Sequence, residues 1–226
     1  MKIKWIGQAG LLIEADGKVI LVDPYLSNSV KKMNPYNYRR VPVDEKLFEV
    51  KPDIIILTHN HLDHTDPETL KRYLTEDSNI LVLASGNAWQ EVRRLGGVNN
   101  NYVMFNRRTR WTESDIEFYA VYAEHSDSCA IGVVISYQNK NYYITGDTLY
   151  NEQIFSDLPQ NIDVVFLPIN GVGNNMNICD AKRFAERINA KYAVPIHWGM
   201  FDELNPNIFD FKNTIIPTIY SDMICR

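Results

Sequence analysis

Apolar residues along this chain fall into short runs whose period changes from strict alternation to continuous stretches and back. Positions 11–15 and 18–22 are apolar segments flanking Asp16-Gly17, a pair suited to the positive φ that both positions of a tight hairpin turn require. An opening β-meander over the first 23 residues is expected, closed by Asp23-Pro24. Positions 25–40 are polar and aromatic, with Asn28, Lys31, Lys32, Asn34, Pro35 and three tyrosines, and read as a long surface loop of a length that often carries function. The run Ile54-Ile55-Ile56-Leu57 is β-branched and short, which predicts a strand buried on both faces.

Further along, Asp66-Pro67 pairs a helix cap with proline at the first helical position, predicting a helix to about Leu74. A strand over 80–83 and a helix over about 87–95 continue a β-α repeat. Ile116, Phe118, Ala120 and Tyr122 alternate with Asp115, Glu117, Tyr119 and Val121, the two-residue period of a strand. Positions 130–136 and 142–145 flank Gln138-Asn139-Lys140-Asn141 as a second hairpin. A strand over 164–167 leads to the loop Asn170-Gly171-Val172-Gly173, and Ile178, Ala181, Phe184, Ala185 and Ile188 then share one helical face. A last strand, 192–196, runs into His197. The pattern is that of an α/β fold, and 226 residues suit one domain spanning 1–226.

Composition narrows the class of function. An apolar content of 45% supports a packed core, and nothing resembles a low-complexity segment. The net charge of -5 argues against a dedicated nucleic-acid binder, which needs clustered Lys and Arg. No apolar run approaches the length of a membrane span, and the N-terminus enters a strand with no leader-like stretch. Cys129, Cys179 and Cys225 are odd in number and widely spaced, so reduced thiols in a cytoplasmic protein are expected, with Cys129 packing at a strand start.

The candidate chemistry lies at the ends of strands. Three of the five histidines fall in Thr58-His59-Asn60-His61-Leu62-Asp63-His64, directly after the buried run. On extended backbone His59 and His61 face the same way, while Asp63 and His64 follow where the chain must turn, a layout able to serve two adjacent metals. Imidazole with carboxylate suits zinc, manganese or iron. His125, Asp147 and His197 each also stand just past a strand, where open sheets present functional groups. Taken singly, His125 or His197 equally reads as a surface or satisfied core histidine, and Asp147 as a helix cap.

Thr-His-Asn-His-Leu-Asp-His resembles the His-x-His-x-Asp-His signature of the metallo-β-lactamase superfamily. The resemblance extends through Gly7-Gln8-Ala9-Gly10, Val22-Asp23-Pro24, His125, Gly146-Asp147-Thr148 and Pro195-Ile196-His197-Trp198; length and the last motif are most similar to the branch containing ascorbate-phosphate lactonase. It implies a four-layer α/β/β/α sandwich. It implies two divalent ions, zinc or manganese foremost and iron also compatible, with His59, His61 and His125 on one, Asp63, His64 and His197 on the other, and Asp147 bridging them.

The expected function is a metal-dependent hydrolase acting on a small ester, lactone or phosphorylated metabolite through a metal-bound hydroxide, with Asp63 as general acid and base. The small-molecule substrate would be met in the cytoplasm, without nucleic-acid or membrane partners. Relatives form oligomers, so a homo-oligomer is compatible with the resemblance, and composition does not decide it. Asp23 reads equally as an orienter of a ligand imidazole and as the start of a turn. Tyr25, Lys31, Lys32, Tyr36, Tyr38, Arg39 and Arg40 read as a solvated loop, or as a lid whose cations hold an anionic group. The segment 171–175 reads as tight turns or as a backbone cradle for an anion, and Trp198 is expected to line the pocket. The competing functions are a phosphodiesterase or ribonuclease-type hydrolase and a non-catalytic metal-binding sensor. A flavin-coupled di-iron oxidoreductase is disfavoured by histidine at position 61, and a secreted lactamase by the absence of a leader-like stretch.

Overall fold

The computed structural model describes residues 1–223. The chain opens with β1 (Lys2–Gly7), β2 (Gly10–Ala15) and β3 (Lys18–Val22), paired antiparallel. Asp16 and Gly17 both take positive φ, 52° and 71°, so the turn twists in the same sense as its strands. After the short helix α1 (Ser29–Met33), β4 (Ile54–Leu57), α2 (Pro67–Tyr73), β5 (Leu81–Ala84), α3 (Gly86–Val92) and β6 (Asn101–Met104) follow in alternation. Here β3, β4, β5 and β6 pair in parallel. The Asp66 carboxylate caps α2 by accepting from the amides of Glu68 and Thr69, and Pro67 occupies the first turn, where its missing N–H costs nothing.

A second sheet is built from β7 (Arg110–Glu113), β8 (Ile116–Tyr122), β9 (Ile131–Tyr137) and β10 (Lys140–Ile144), all antiparallel. The helix α4 (Glu152–Phe155), β11 (Val164–Pro168), the helix α5 (Ile178–Arg187) and β12 (Tyr192–Ile196) follow, with β10, β11 and β12 parallel. Finally β13 (Asp222–Met223) returns to pair with β1. The strand orders are β13-β1-β2-β3-β4-β5-β6 and β12-β11-β10-β9-β8-β7.

Three clusters of buried side chains define four layers. The first lies between the sheets and takes Ile54 and Ile56 from β4 and Val164 and Phe166 from β11. The alternate residues Ile55 and Leu57 face outward under α2 and α3, against Leu70, Tyr73, Ala88 and Val92. Val165 and Leu167 face outward under α4 and α5, against Ile154, Ala181, Phe184 and Ala185. Strands covered on both faces must be apolar at every position, and that is the cause of the continuous runs in the sequence. The α/β/β/α sandwich is therefore the fold. Among the described residues no helix is long and apolar enough to cross a membrane.

Several expectations are corrected. The segment 25–40 is partly internal: it contains α1, and Tyr25 and Arg39 are buried. The second hairpin turns on Gln138 and Asn139 alone, both at positive φ (51° and 58°), with Tyr137 paired to Lys140. The edge strands β6 and β7, with few apolar residues, were not anticipated, nor were α4 and β13. Cys129 is only half-buried and Cys179 is exposed; both thiols are free, and Cys225 lies outside the described residues.

The β8 strand runs antiparallel to β9, which runs antiparallel to β10, so β8, β10, β11 and β12 all point the same way. Their C-terminal ends share one edge of the sandwich. The packing beneath is testable away from that edge. Phe184 is fully buried, its ring 5.3 Å from that of Phe155 and 6.1 Å from that of Tyr150. Phe184→Ala is expected to lower unfolding free energy by ~3–5 kcal/mol in a urea titration, and an unchanged midpoint would contradict this packing.

Candidate metal centre

The exit of β4 delivers His59 into the interior and His61 to the rim, and the chain then folds back through Asp63 and His64 into α2. His125 follows β8, Asp147 follows β10, and His197 follows β12 at φ 59°. The two sheets are tied at this edge by backbone bonds: the Ile131 amide donates to the Thr58 carbonyl at 3.1 Å, and the His197 amide to the Gln8 carbonyl at 2.9 Å. Residues up to 189 positions apart in sequence thereby become neighbours.

All seven residues singled out by the sequence converge. The rings of His59, His61 and His125 form a near-equilateral triangle with centroid separations of 4.7, 4.6 and 4.7 Å. Their nitrogens lie within 4.8 Å of one another, and the same limit holds for donor atoms of Asp63, His64 and His197. The rings of His59 and His64 are 4.0 Å apart, joining the two groups. Asp147 sits between His64 and His197, one carboxylate oxygen 3.3 Å from His64 Nε2 and the other 3.2 Å from His197 Nε2.

Asp23 sets the orientation of two imidazoles at once. Its Oδ2 accepts from His64 Nδ1 at 2.8 Å and from the Thr58 hydroxyl at 2.5 Å, while the Thr58 amide donates to Oδ1. The Thr58 hydroxyl proton is thus committed to Asp23, so its oxygen is left to accept from His59 Nδ1 at 3.0 Å. Both rings carry their proton on Nδ1 in this arrangement and present Nε2 to the centre. His59 Nε2, His64 Nε2 and Asp147 Oδ1 are buried with no hydrogen-bond partner. The latter two face each other at 3.3 Å without hydrogen-bond alignment. Unpartnered buried polar atoms are rare, and two imidazole nitrogens beside a carboxylate oxygen are a donor set that fits divalent cations once His64 gives up its second proton.

Charge at the site is finely opposed. Burial alone lowers His64 and His197, but the carboxylates of Asp147 and Asp63 outweigh it; His64 rises well above the usual histidine range and His197 to about 10. Burial likewise raises Asp63 and Asp147, and the neighbouring His64 and His197 reverse this, holding both carboxyls below their ordinary range. His59 is lowered by burial and by His64, and His125 by burial.

Three supporting residues have roles that their sequence context does not assign. Gln8, buried at φ 52°, donates from its side-chain amide to Asp63 Oδ2 at 2.7 Å. Asn175 donates to Asp147 Oδ2 at 2.8 Å and accepts from the Thr148 amide. Asp127 accepts from the amide of Asn60, between His59 and His61, at 3.0 Å. Only the position of Gln8 between glycines hinted at a special backbone. Amides in loops carry no periodic signal.

A cleft of about 300 Å³ opens over the centre, walled beyond the site residues by Val30, Asn37, Asn170, Val172, Phe201 and Asp202. The segment 171–175 precedes α5, which begins at Ile178 and is capped by Asn177; Val172 and Gly173 line the cleft, and Asn175 buttresses Asp147. Trp198 does not line the cleft but packs against Trp5, ring centroids 4.8 Å apart and planes tilted by 33°, its indole N–H donating to the Pro195 carbonyl.

Fold and donor set together define the class, an α/β/β/α protein whose strand ends gather His and Asp side chains that could hold metal. The β-lactamase superfamily domain matches residues 2–197, and the chain belongs to that family. A UPF0173 metal-dependent hydrolase of Bacillus thuringiensis (strain Al Hakam) is 29% identical over 232 residues, covering 93% of this chain and 91% of the relative. A UPF0173 metal-dependent hydrolase of Staphylococcus aureus is 28% identical over 230 residues, covering 95% and 93%. The solved structure of Igni18, a metallo hydrolase from Ignicoccus hospitalis, is similar at a TM-score of 0.76 with 20% identity, over 98% of this chain and 97% of that one. An isothiocyanate hydrolase from Delia radicum gut bacteria matches at 0.76 with 20% identity, over 99% and 98%.

Protonation gives a test of the centre. An imidazole must be neutral to bind a cation, whereas His64 and His197 are held protonated near neutrality by Asp147 and Asp63. Metal uptake at pH 7 is expected to release about two protons per chain, and affinity to rise with pH as those protons are lost beforehand. Calorimetric titration of zinc in two buffers of different ionisation enthalpy measures this; no proton release would contradict it.

Proposed function

We propose that this metal-dependent hydrolase cleaves a small ester, lactone or phosphorylated metabolite in the cytoplasm. His59, His61 and His125 would hold one divalent cation and Asp63, His64 and His197 a second, with Asp147 able to donate to either. The observation that carries this reading is the set of three buried, unpartnered donor atoms, His59 Nε2, His64 Nε2 and Asp147 Oδ1, at the meeting of four strand ends. A mixed imidazole and carboxylate set favours zinc or manganese. When bound, such a pair of cations supplies Lewis acidity and lowers the pKa of water.

The chain's own groups do the rest. Asp23 and Thr58 fix the tautomers of His64 and His59. The Gln8 amide occupies one lone pair of Asp63 Oδ2, which holds this carboxylate in place while leaving it able to take a proton from attacking water and return it to the leaving group. The carboxyl of Asp63, kept ionised by His64 and His197, is in the state a base requires.

Asp63→Asn separates an enzyme from a metal-binding sensor. The expected result is a fall in kcat of roughly 10²–10⁴-fold with at least one metal per chain retained by elemental analysis. Unchanged turnover would remove Asp63 from the reaction.

A further inference from the structure

We infer that the substrate is an uncharged carboxylic ester or lactone with a short apolar portion, and that Asp202 selects it against anionic esters. This rests on the hydrolase reading above and narrows it. The wall of the cleft is apolar at Val30, Val172 and Phe201, carries amides at Asn37 and Asn170, and bears one extra carboxylate, Asp202. Among the described residues that line it there is no Lys or Arg. A phosphate or carboxylate standing away from the reacting atom is held by charged donors, and without them its desolvation is uncompensated.

The cations of the adjoining segment are engaged elsewhere. The Arg39 guanidinium donates to the carbonyls of Val41, Tyr25 and Ile6 and to the Tyr220 hydroxyl, and Arg39 is not among the residues that line the cleft. Lys32 pairs with Glu68, Arg40 pairs with Glu203, and Lys31 lies 5.8 Å over the Tyr38 ring.

Asp202 is held in place by the loop it organises. One of its oxygens accepts from the amides of Gly199 and Leu204, both at 2.9 Å, which fixes the turn that brings Phe201 to the cleft. Hydrolysis balances simply. The oxygen of water bonds to the carbonyl carbon, the carbon–alkoxy bond breaks, one proton goes to the released alkoxide, and the acid formed ionises. That carboxylate product is then disfavoured in the same cleft.

The test uses two chelators matched in length, butyrohydroxamic acid and succinic monohydroxamic acid, titrated calorimetrically into zinc-loaded protein. They bind metal through the same group and differ in a remote charge. The uncharged probe is expected to bind about tenfold tighter. In Asp202→Asn, which keeps an oxygen for the Gly199 and Leu204 amides, that ratio is expected to shrink by about threefold or more. Equal or tighter binding of the charged probe, or a ratio unmoved by Asp202→Asn, would overturn the inference. In parallel, 4-nitrophenyl butyrate should be cleaved in preference to mono-4-nitrophenyl succinate. Cleavage of both without preference would overturn the inference alone. Cleavage of neither, with the hydroxamate preference intact, would overturn the ester assignment and leave the hydrolase reading to the Asp63→Asn test, while charge selection by the cleft stood.

Discussion

Burying imidazoles and carboxylates together at a strand edge is costly, because each charge loses its hydration and each lone pair needs a partner. Here part of the cost is met by pairing opposite charges and by fixing the tautomers of His59 and His64. The Asp23 carboxylate does most of this: it receives His64 directly and His59 through the Thr58 hydroxyl, so both rings turn the same nitrogen toward the centre. Replace it by an apolar group and the two rings lose their tautomers and their register with Asp147. The backbone bonds from Ile131 to Thr58 and from His197 to Gln8 depend on the same edge, since they lock the two sheets where the donors meet.

From that constraint the architecture follows. Parallel pairing of β10, β11 and β12, with β8 aligned to them, collects strand exits at one rim. A doubly covered β4 gives the rigid platform from which His59 to His64 spring, and the cap on α2 stops the chain from carrying His64 away. The cleft above is left to loops, and its polarity differs from that of the centre. Donors crowd below, while apolar side chains, amides and a single carboxylate stand above.

Much of this was legible in the sequence, for physical reasons. Runs such as Ile54 to Leu57 and Val164 to Leu167 are continuous because both faces are covered, and Asp66-Pro67 marks a helix start wherever it occurs. The spacing of His59 and His61 put two donors on one side of the chain. Less was legible where burial is decided by distant partners. Tyr25 and Arg39 lie in a polar stretch yet are internal, because Arg39 finds carbonyls contributed by three separate segments. Gln8, Asn175 and Asp127 contact the site through loop amides and carboxylates that have no period. The edge strands β6 and β7 need no apolar alternation, since one side of each ladder is open. For His125 and His197 taken singly, only the three-dimensional convergence removes the alternative of an ordinary satisfied histidine.

We propose that donors from four strand ends gather two cations, and anomalous diffraction at the metal absorption edge from crystals grown with zinc decides it. Two peaks per chain are expected, one bounded by His59, His61 and His125 and one by Asp63, His64 and His197, with Asp147 beside both. A single peak among Asp23, His59 and His64, or none within this cluster, would contradict it.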